Sequence, residues 1–374
     1  MKIVSFTGSR AEYYLLRPLF IEINKNNNFD LFLIISGGIL KEKNNQTLND
    51  IKRDNIKIFA RIELETINTN HSTSIGKLCI EIIPYLNSLK ADLGIVYADR
   101  YESFGFAIAA SHSDIPLLHL EAGDITEGGT YDDQIRHCIS KLSHLFCTST
   151  KKGCDVINRL GEEKWRCMHS GLVSYDDMQN VTNSDRENVI KDFNLSGNLP
   201  IIVGTFHPIP RDLKLTRKET IEFLEGLEIF SKNKESHIII TAPNNDYGKD
   251  IIFELIDEYL PKIKNSIYIE SLGGKRYHSI MSLAKEMKVI IFGNSSSVIK
   301  EAPYYGAHSL NIGVRQLGRE LSSTQTNCIA NKDLICINLK NLSENPTKNE
   351  DMWPAAHNNT EFVFPGHRIQ CYHD

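Results

Sequence analysis

Short apolar runs alternate with longer amphipathic stretches in both halves of the chain. The runs are rich in Ile, Val, Leu and Phe, and each is shorter than a typical helix. Because a strand with helices on both faces is apolar throughout, this alternation predicts βαβ units and parallel sheets. The predicted strands are Ile3–Phe6, Leu31–Ile35, Ile56–Ile62, Leu93–Tyr97 and Pro116–Leu120, then Pro200–Phe206, His237–Thr241, Ser266–Glu270, Lys288–Phe292 and Ser309–Ile312.

A polar and less regular stretch, Tyr175 to Gly197, separates the two series of predicted strands. A chain of 374 residues is also longer than one hydrophobic core usually serves. We therefore expect two doubly wound α/β domains, residues 1–172 and 173–344. The remaining tail, residues 345–374, has three prolines that argue against a long helix, and its pattern does not tell whether it returns to the first domain.

Composition narrows the class of protein. The chain is 41% hydrophobic and 24% charged, as in globular proteins, and no apolar run approaches the roughly 18 residues of a membrane span. We expect no membrane association and, without a signal-peptide pattern at the N-terminus, a cytoplasmic protein. A net charge of -5 makes a nucleic-acid partner unexpected. The eight cysteines show no CxxC pair or zinc-ligand spacing, so we expect reduced thiols and no metal.

Polar clusters follow six of the predicted strands. In open parallel sheets, ligands bind beyond the carboxyl ends of the strands, so these clusters are candidate binding positions. They are Gly8–Arg10, Asp99–Arg100, Glu121–Asp124, His207–Pro208, Pro243–Asp246 and Gly293–Ser296.

The stretch from Asp99 to His137 carries the strongest candidate chemistry. Asp99 and Glu121 each follow a strand, and Asp132 begins a probable helix that also carries Arg136. Three carboxylates at strand ends or helix starts, with an arginine and a histidine beside the last, predict an acid/base site. The alternative for Asp99 is a purely structural role as a helix N-cap.

A second candidate site lies at Gly293 to Ser297, between a buried strand and a helix predicted to run through Glu301. The N–H groups and hydroxyls of Ser295 and Ser296 suit a phosphate, and Glu301 could meet ribose hydroxyls. A plain serine N-cap with a solvated Glu301 is the alternative. Arg10 is either a phosphate clamp or a solvated loop residue, and His207 is either a functional imidazole or a turn residue. Neither GxGxxG nor a Walker A motif is present, so no nucleotide cofactor is expected.

Taken together and in order, these motifs resemble the UDP-N-acetylglucosamine 2-epimerases, specifically the hydrolysing branch of sialic-acid biosynthesis. The resemblance covers about residues 1 to 320. It rests on Thr7-Gly8-Ser9-Arg10-Ala11-Glu12-Tyr13, Asp99-Arg100-Tyr101-Glu102, His119-Leu120-Glu121-Ala122-Gly123, Asp132-Asp133-Gln134-Ile135-Arg136-His137, Phe206-His207-Pro208 and Gly293-Asn294-Ser295-Ser296 leading to Glu301-Ala302-Pro303.

The resemblance implies a GT-B-like architecture, two Rossmann-like domains with an interdomain cleft for the substrate. It also implies the conversion of UDP-N-acetylglucosamine and water to N-acetylmannosamine and UDP through a 2-acetamidoglucal, without a metal or cofactor, in a homodimer. The implied catalytic residues are Asp99, Glu121, Asp132 and His207. The implied substrate-binding residues are Arg10, Arg136, His137, Asn245, Tyr277, Ser295, Ser296 and Glu301.

Two departures from the family pattern leave the substrate open. Ala98 stands where the family usually has glycine, and the segment Ile125–Thr130 resembles branches that act on 2,4-diacetamido-trideoxy sugars or GDP-linked amino sugars. The rival functions are a non-hydrolysing epimerase, a glycosyltransferase of the same fold, and a sugar-nucleotide binding protein without turnover.

Overall fold

A computed structural model of the protein describes residues 1–41, 45–64, 71–126, 131–244, 246–322 and 324–345. These residues divide into two compact units. Of the described residues, those within 1–124 and 132–176 form the first unit, and residues 125, 126 and 131 together with those within 177–345 form the second.

The first unit is built on a seven-stranded parallel sheet with the strand order β3-β2-β1-β4-β5-β6-β7. Its strands are β1 (Lys2–Thr7), β2 (Asp30–Ser36), β3 (Ile58–Ile62), β4 (Leu93–Tyr97), β5 (Leu117–Leu120), β6 (Leu145–Thr148) and β7 (Cys167–His169). Its helices are α1 (Arg10–Lys25), α2 (Gln46–Arg53), α3 (His71–Leu89), α4 (Tyr101–Ser111), α5 (Asp132–Leu142) and α6 (Lys151–Arg159), and α7 (Tyr175–Gln179) leads out of the unit.

The second unit is built on a six-stranded parallel sheet with the strand order β10-β9-β8-β11-β12-β13. Its strands are β8 (Ile201–Thr205), β9 (His237–Thr241), β10 (Ser266–Ile269), β11 (Val289–Gly293), β12 (His308–Ile312) and β13 (Gln325–Cys328). Its helices are α8 (Asn183–Asp192), α9 (Leu213–Asn233), α10 (Lys249–Tyr259), α11 (Gly273–Ser282), α12 (Ser296–Lys300) and α13 (Lys332–Glu344).

Alternate residues of the first sheet belong to different hydrophobic clusters. Val4 and Phe6 of β1 pack in a cluster with Phe106 of α4, whereas Ile3 of the same strand packs with Leu16 of α1. Because successive strand residues point to opposite faces, helices cover both faces of this sheet. The continuous apolar runs that predicted buried strands follow from this two-sided burial.

The predicted doubly wound α/β class is confirmed, and all ten predicted strands are present within two residues of their predicted ends. Three strands were missed: β6, with four residues, and β7 and β13, with three and four. The last two lie at sheet edges, where short and polar strands limit unwanted pairing and therefore leave little apolar signal. Apart from Asn345, the tail lies outside the described residues.

Among the helices that the structure describes, none has the length and apolar character needed to cross a membrane.

Gly293, the last residue of β11, can only be glycine. Its φ of +123° is one that side-chain-bearing residues rarely adopt, and a Cβ atom there would lie 1.9 Å from the carbonyl oxygen of Thr205 on β8. The obstacle is the backbone of a paired strand, which cannot move aside without breaking the sheet.

We expect the substitution Gly293→Ala to lower the free energy of unfolding by roughly 2 to 4 kcal/mol, since it adds both strain and a backbone clash. The matched control is Gly274→Ala in α11, where a new Cβ meets nothing within 4 Å. Urea denaturation of the two variants beside the wild type measures the difference, and equal midpoints would show that the strand end tolerates a side chain.

Candidate functional site

The end of β4 bends at a residue in an unusual conformation. Ala98 has a φ of +51°, in the left-handed region that costs a residue with a Cβ roughly 1 kcal/mol. Its N–H donates to the carbonyl of Leu120 (3.0 Å) and its carbonyl accepts from Nε2 of His119 (2.8 Å). Both bonds tie the bend to the neighbouring strand β5. Glycine adopts this conformation without that cost, which explains why glycine suits the position that Ala98 occupies in this chain.

The imidazole of His119 is fixed on both sides inside the first unit. The ring is fully buried. Since a carbonyl oxygen can only accept a hydrogen bond, Nε2 carries the ring proton and donates it to the carbonyl oxygen of Ala98 as a hydrogen bond. Nδ1 then accepts from the Ser140 hydroxyl (3.0 Å). Burial lowers the pKa of His119 to about 4, so the ring is neutral at physiological pH.

Asp99, directly after this bend, forms an ion pair with the guanidinium of Arg136 on α5. The Arg136 side chain is only 1% exposed, and its Nη1 also donates to the carbonyl of Asp124 (2.8 Å). The N-cap alternative for Asp99 is wrong, because the N-cap position of α4 is Arg100 and no side chain caps it. An adjacent buried cation favours the ionised form of a carboxylate.

Glu121 directly follows β5, as Ala98 directly follows β4. It is 3% exposed with a φ of +55°. The next residue, Ala122, donates its N–H to Cys147 on β6 (3.0 Å), and Gly123 passes so close to α6 that a Cβ would lie 2.2 Å from the carbonyl oxygen of Gly153. The backbone around Glu121 is therefore held by two neighbouring elements.

Asp132 is the first residue of α5, one helical turn before Arg136. His137, on the same helix, has its Nε2 3.6 Å from a carboxylate oxygen of Asp133, and burial lowers the pKa of its ring. The structure thus pairs Asp99 with Arg136, and Asp132 lies one turn before Arg136 on the same helix. Glu121 follows the adjacent strand β5. That these groups act as an acid/base site stays a prediction.

His207 follows β8 in the second unit and is held in one tautomer. Its Nδ1 accepts the backbone N–H of Asn244 (3.0 Å), so the neutral ring carries its proton on Nε2. Burial, reinforced by the nearby charge of Arg315, lowers the pKa of His207 to about 3. This imidazole can donate a hydrogen bond from Nε2, but it does not carry a positive charge at neutral pH.

The buried amide of Asn294 joins the end of β11 to the end of β8. Its Oδ1 accepts the N–H of His207 (2.6 Å) and its Nδ2 donates to the carbonyl of His207 (2.9 Å). The carbonyl of Asn294 accepts from Arg315 (3.2 Å) and Gln316 (3.0 Å). Sequence analysis did not single out Arg315, although it lies three residues beyond β12 and the strand-end rule would have found it.

The serines before α12 form a short chain of hydroxyl groups. Ser295 caps the helix by accepting the N–H of Ser297 (3.4 Å), as the N-cap alternative requires. Ser297 in turn bonds Ser295 (3.0 Å) and the hydroxyl of Tyr277 (2.8 Å), while Ser296 is partly exposed. Tyr277 therefore contacts the predicted phosphate loop through Ser297, to which sequence analysis gave no role of its own.

The helix α12 ends at Lys300, one residue before the end that the sequence predicts, so Glu301 lies directly after the helix. An oxygen of its carboxylate lies 3.0 Å from Nε2 of His278 on α11. His278 is a further position that the pattern did not mark, since a buried helical histidine has no distinctive spacing.

Arg10 is the first residue of α1 and is partly exposed. The loop before it is anchored by Glu12, a buried carboxylate that accepts from the N–H of Gly8 (2.8 Å) and the hydroxyl of Ser103 (2.8 Å). Burial raises the pKa of Glu12. Asn245 lies outside the described residues.

In the part of the chain that the structure describes, no group of three or more His, Cys, Asp or Glu side chains could hold a metal ion.

The family model of UDP-N-acetylglucosamine 2-epimerase matches residues 21–360. The GDP/UDP-N,N'-diacetylbacillosamine 2-epimerase (hydrolyzing) of Campylobacter jejuni is 31% identical over 85% of this chain and 82% of its own. The UDP-N,N'-diacetylbacillosamine 2-epimerase (hydrolyzing) of Legionella pneumophila is 28% identical over 92% of this chain and 89% of its own. The crystal structure of Methanocaldococcus jannaschii UDP-GlcNAc 2-epimerase with UDP-GlcNAc and UDP has a TM-score of 0.77 at 19% identity, covering 95% of this chain and 96% of that one, and supports the GT-B-like fold.

We expect His207 to stay neutral, with its proton on Nε2, throughout the pH range 5 to 8. Nitrogen-15 shifts of its ring, assigned by comparison with His207→Gln, report both the charge and the tautomer. Because the unfolded pKa is about 6.5 and the folded pKa is lower, the unfolded state binds the extra proton, so this contribution to stability is lost as pH falls below about 6.5. Protonation of the folded ring above pH 6 would contradict a buried imidazole whose Nδ1 accepts a hydrogen bond from Asn244.

Proposed function

The chain belongs to the UDP-N-acetylglucosamine 2-epimerase family, and we propose that it is a hydrolysing member that releases UDP and a free 2-epimerised amino sugar. The first candidate substrate is UDP-N-acetylglucosamine, with N-acetylmannosamine as the sugar product. The observation that carries the proposal is the ion pair of Asp99 with buried Arg136, with Asp132 one turn earlier on the helix of Arg136 and Glu121 directly after the adjacent strand.

The proposed reaction needs more than one carboxyl group. The proton at C2 of the sugar is weakly acidic, so a positioned base must remove it while the C1–O bond breaks and its electron pair leaves with UDP. Water then adds its hydroxyl to C1 of the resulting 2-acetamidoglucal, and a proton returns to C2 from the opposite face. Asp99, which forms the ion pair with Arg136, suits the base, and Glu121 and Asp132 serve the return proton and the water.

Departure of UDP requires stabilisation of the negative charge that develops on its phosphate. We assign this to the Nε2–H of neutral His207, together with Arg10 and the hydroxyls of Ser295 and Ser296. Glu301, oriented by His278, binds the ribose hydroxyls, and Tyr277 and Asn245 complete the nucleotide contacts. In this assignment Arg136 and His137 position the carboxylates and the sugar.

A second candidate substrate is a UDP-linked or GDP-linked 2,4-diacetamido-trideoxy sugar. The two hydrolysing relatives are named for N,N'-diacetylbacillosamine, which favours this candidate over other sugars. The proposed chemistry at C1 and C2 is the same for both candidates, and only the group at C4 and the nucleobase differ.

The proposed function is tested by incubating the pure protein separately with UDP-N-acetylglucosamine and with UDP-N,N'-diacetylbacillosamine and its GDP counterpart, and following products by proton and phosphorus NMR. Hydrolysis gives free nucleoside diphosphate and the free epimerised sugar. An intact epimerised nucleotide sugar supports a non-hydrolysing enzyme, and transfer to an added acceptor supports a glycosyltransferase. Tight UDP binding without turnover of any substrate supports a binding protein.

We expect Asp99→Asn, Glu121→Gln and Asp132→Asn each to lower kcat by about 10²- to 10⁴-fold, because each removes a group that transfers a proton. The matched control is Glu22→Gln on α1, whose side chain is 61% exposed and which should retain wild-type kcat. Circular dichroism checks that each variant is folded, and thermal unfolding should show the largest loss for Asp99→Asn, which weakens the pair with Arg136. Wild-type rates in all three variants would rule out the assignment.

We also propose that the protein is a homodimer, as the family resemblance implies. Helix α3 supports this, because it presents Ile80 (73% exposed) and Ile83 (39% exposed) on its outer side. Sedimentation velocity should give a dimer for the wild type and a monomer for the double variant Ile80→Glu/Ile83→Glu. A wild-type protein that sediments as a monomer at micromolar concentration would contradict the proposal.

A further inference from the structure

Three of the cysteines lie at one edge of the sheet of the first unit. Cys147 lies on β6, Cys154 on the first turns of α6 and Cys167 at the start of β7. The Sγ atoms of Cys154 and Cys167 are 3.1 Å apart, although the two residues lie on different elements. A disulfide needs a separation of about 2.05 Å, so the two sulfur atoms have to approach by about 1 Å.

We propose that Cys154 and Cys167 form a reversible intramolecular disulfide, and that Cys154 is the thiol that reacts first. The two thiols are partly exposed, unlike the buried Cys147. A small oxidant can therefore reach them without unfolding of the sheet. The inference concerns covalent chemistry and does not depend on the proposed function.

Several features activate Cys154 rather than its partner. Its Sγ lies near the N-terminus of α6, where the helix dipole favours a thiolate. It also lies within hydrogen-bonding distance of the hydroxyl of Thr148 (3.0 Å), and the Cys167 thiol donates to it. The hydrogen bond from the Cys167 thiol, together with the contact to Thr148, lowers the pKa of Cys154, while the same bond to Cys154 and burial raise the pKa of Cys167. Burial raises the pKa of Cys147 to about 11, so this third thiol is protonated and unreactive at neutral pH.

The proposed reaction uses a low-molecular-weight disulfide as oxidant. The Cys154 thiolate attacks one sulfur atom of that disulfide, which forms a mixed disulfide and expels one small thiolate. Cys167 then loses its proton and attacks the sulfur of Cys154, which forms the Cys154–Cys167 bond and expels the second small thiolate. The two cysteines are oxidised by two electrons in total, and the small disulfide is reduced to two thiols.

The bond would join α6 to the edge strand β7. Gly153 precedes Cys154 on α6 and makes the close backbone approach to Gly123 described above. Gly123 lies two residues after Glu121. The disulfide therefore fixes the helical turn that supports this strand end.

The test treats the reduced full-length protein with oxidised glutathione at neutral pH and then alkylates the remaining thiols. Before alkylation, the intact mass should be lower by two hydrogen atoms. After alkylation, the oxidised protein should carry two alkyl groups fewer than the reduced protein with its eight thiols, and peptide mapping should show a crosslinked peptide that contains Cys154 and Cys167. Dithiothreitol should restore all eight thiols. Both cysteines still free after oxidation, or a bond of either one to another cysteine, would overturn the proposal.

Two single variants separate the roles of the two thiols. Cys167→Ser should stop at a stable glutathione adduct on Cys154, whereas Cys154→Ser should lose both the adduct and the crosslink. The matched control is Cys138→Ser, which removes an exposed thiol on α5 and should leave the crosslink unchanged. An adduct on Cys167 in the Cys154→Ser protein, formed at the wild-type rate, would contradict the assignment of Cys154 as the first nucleophile.

Discussion

The charge of Arg136 is buried, and this one constraint organises the first unit around it. A guanidinium with 1% exposure needs partners that compensate for the loss of water, and it finds them in the Asp99 carboxylate and the Asp124 carbonyl. These partners stand at the end of β4 and just beyond β5, and the arginine itself is on α5. One side chain therefore connects the three segments that carry Asp99, Glu121 and Asp132. The positive φ angles of Ala98 and Glu121 are local costs of bringing the strand ends into this arrangement.

In the second unit, hydrogen bonds of the amide side chain of Asn294 and of the backbone of Asn244 hold the strand-end residue His207. The amide of Asn294 joins the ends of β8 and β11, and the bond from Asn244 fixes the tautomer of His207. A neutral imidazole with its proton on Nε2 suits the proposed stabilisation of a departing phosphate, because it offers a hydrogen bond without a fixed positive charge. Both units thus place candidate site residues beyond strand ends. In the first unit a buried ion pair holds them, and in the second the amide of Asn294 does so, with the guanidinium of Arg315 donating to its carbonyl.

The sequence predicts the fold well because two-sided burial leaves continuous apolar runs, as in Leu93–Tyr97, whose predicted ends match the structure. It fails at β7 and β13, where an edge strand buries few side chains and leaves no such run. Within the site, the strand-end rule finds Asp99, Glu121 and His207, but it cannot choose between catalysis and helix capping for Asp99, which depends on the position of Arg136 in space. His119 and His278 hold other site residues through single contacts, and no local pattern marks a contact between residues far apart in the chain.

The claim that these carboxylates exchange the proton at C2 of an amino sugar is tested most directly by running the reaction in deuterium oxide. If the account is correct, the released sugar carries deuterium at C2 in a one-to-one ratio with released UDP, since the original proton leaves and a solvent proton returns. Release of UDP with the original proton still at C2 would contradict it, because the C1–O bond would then break without any role for Asp99, Glu121 or Asp132 at C2.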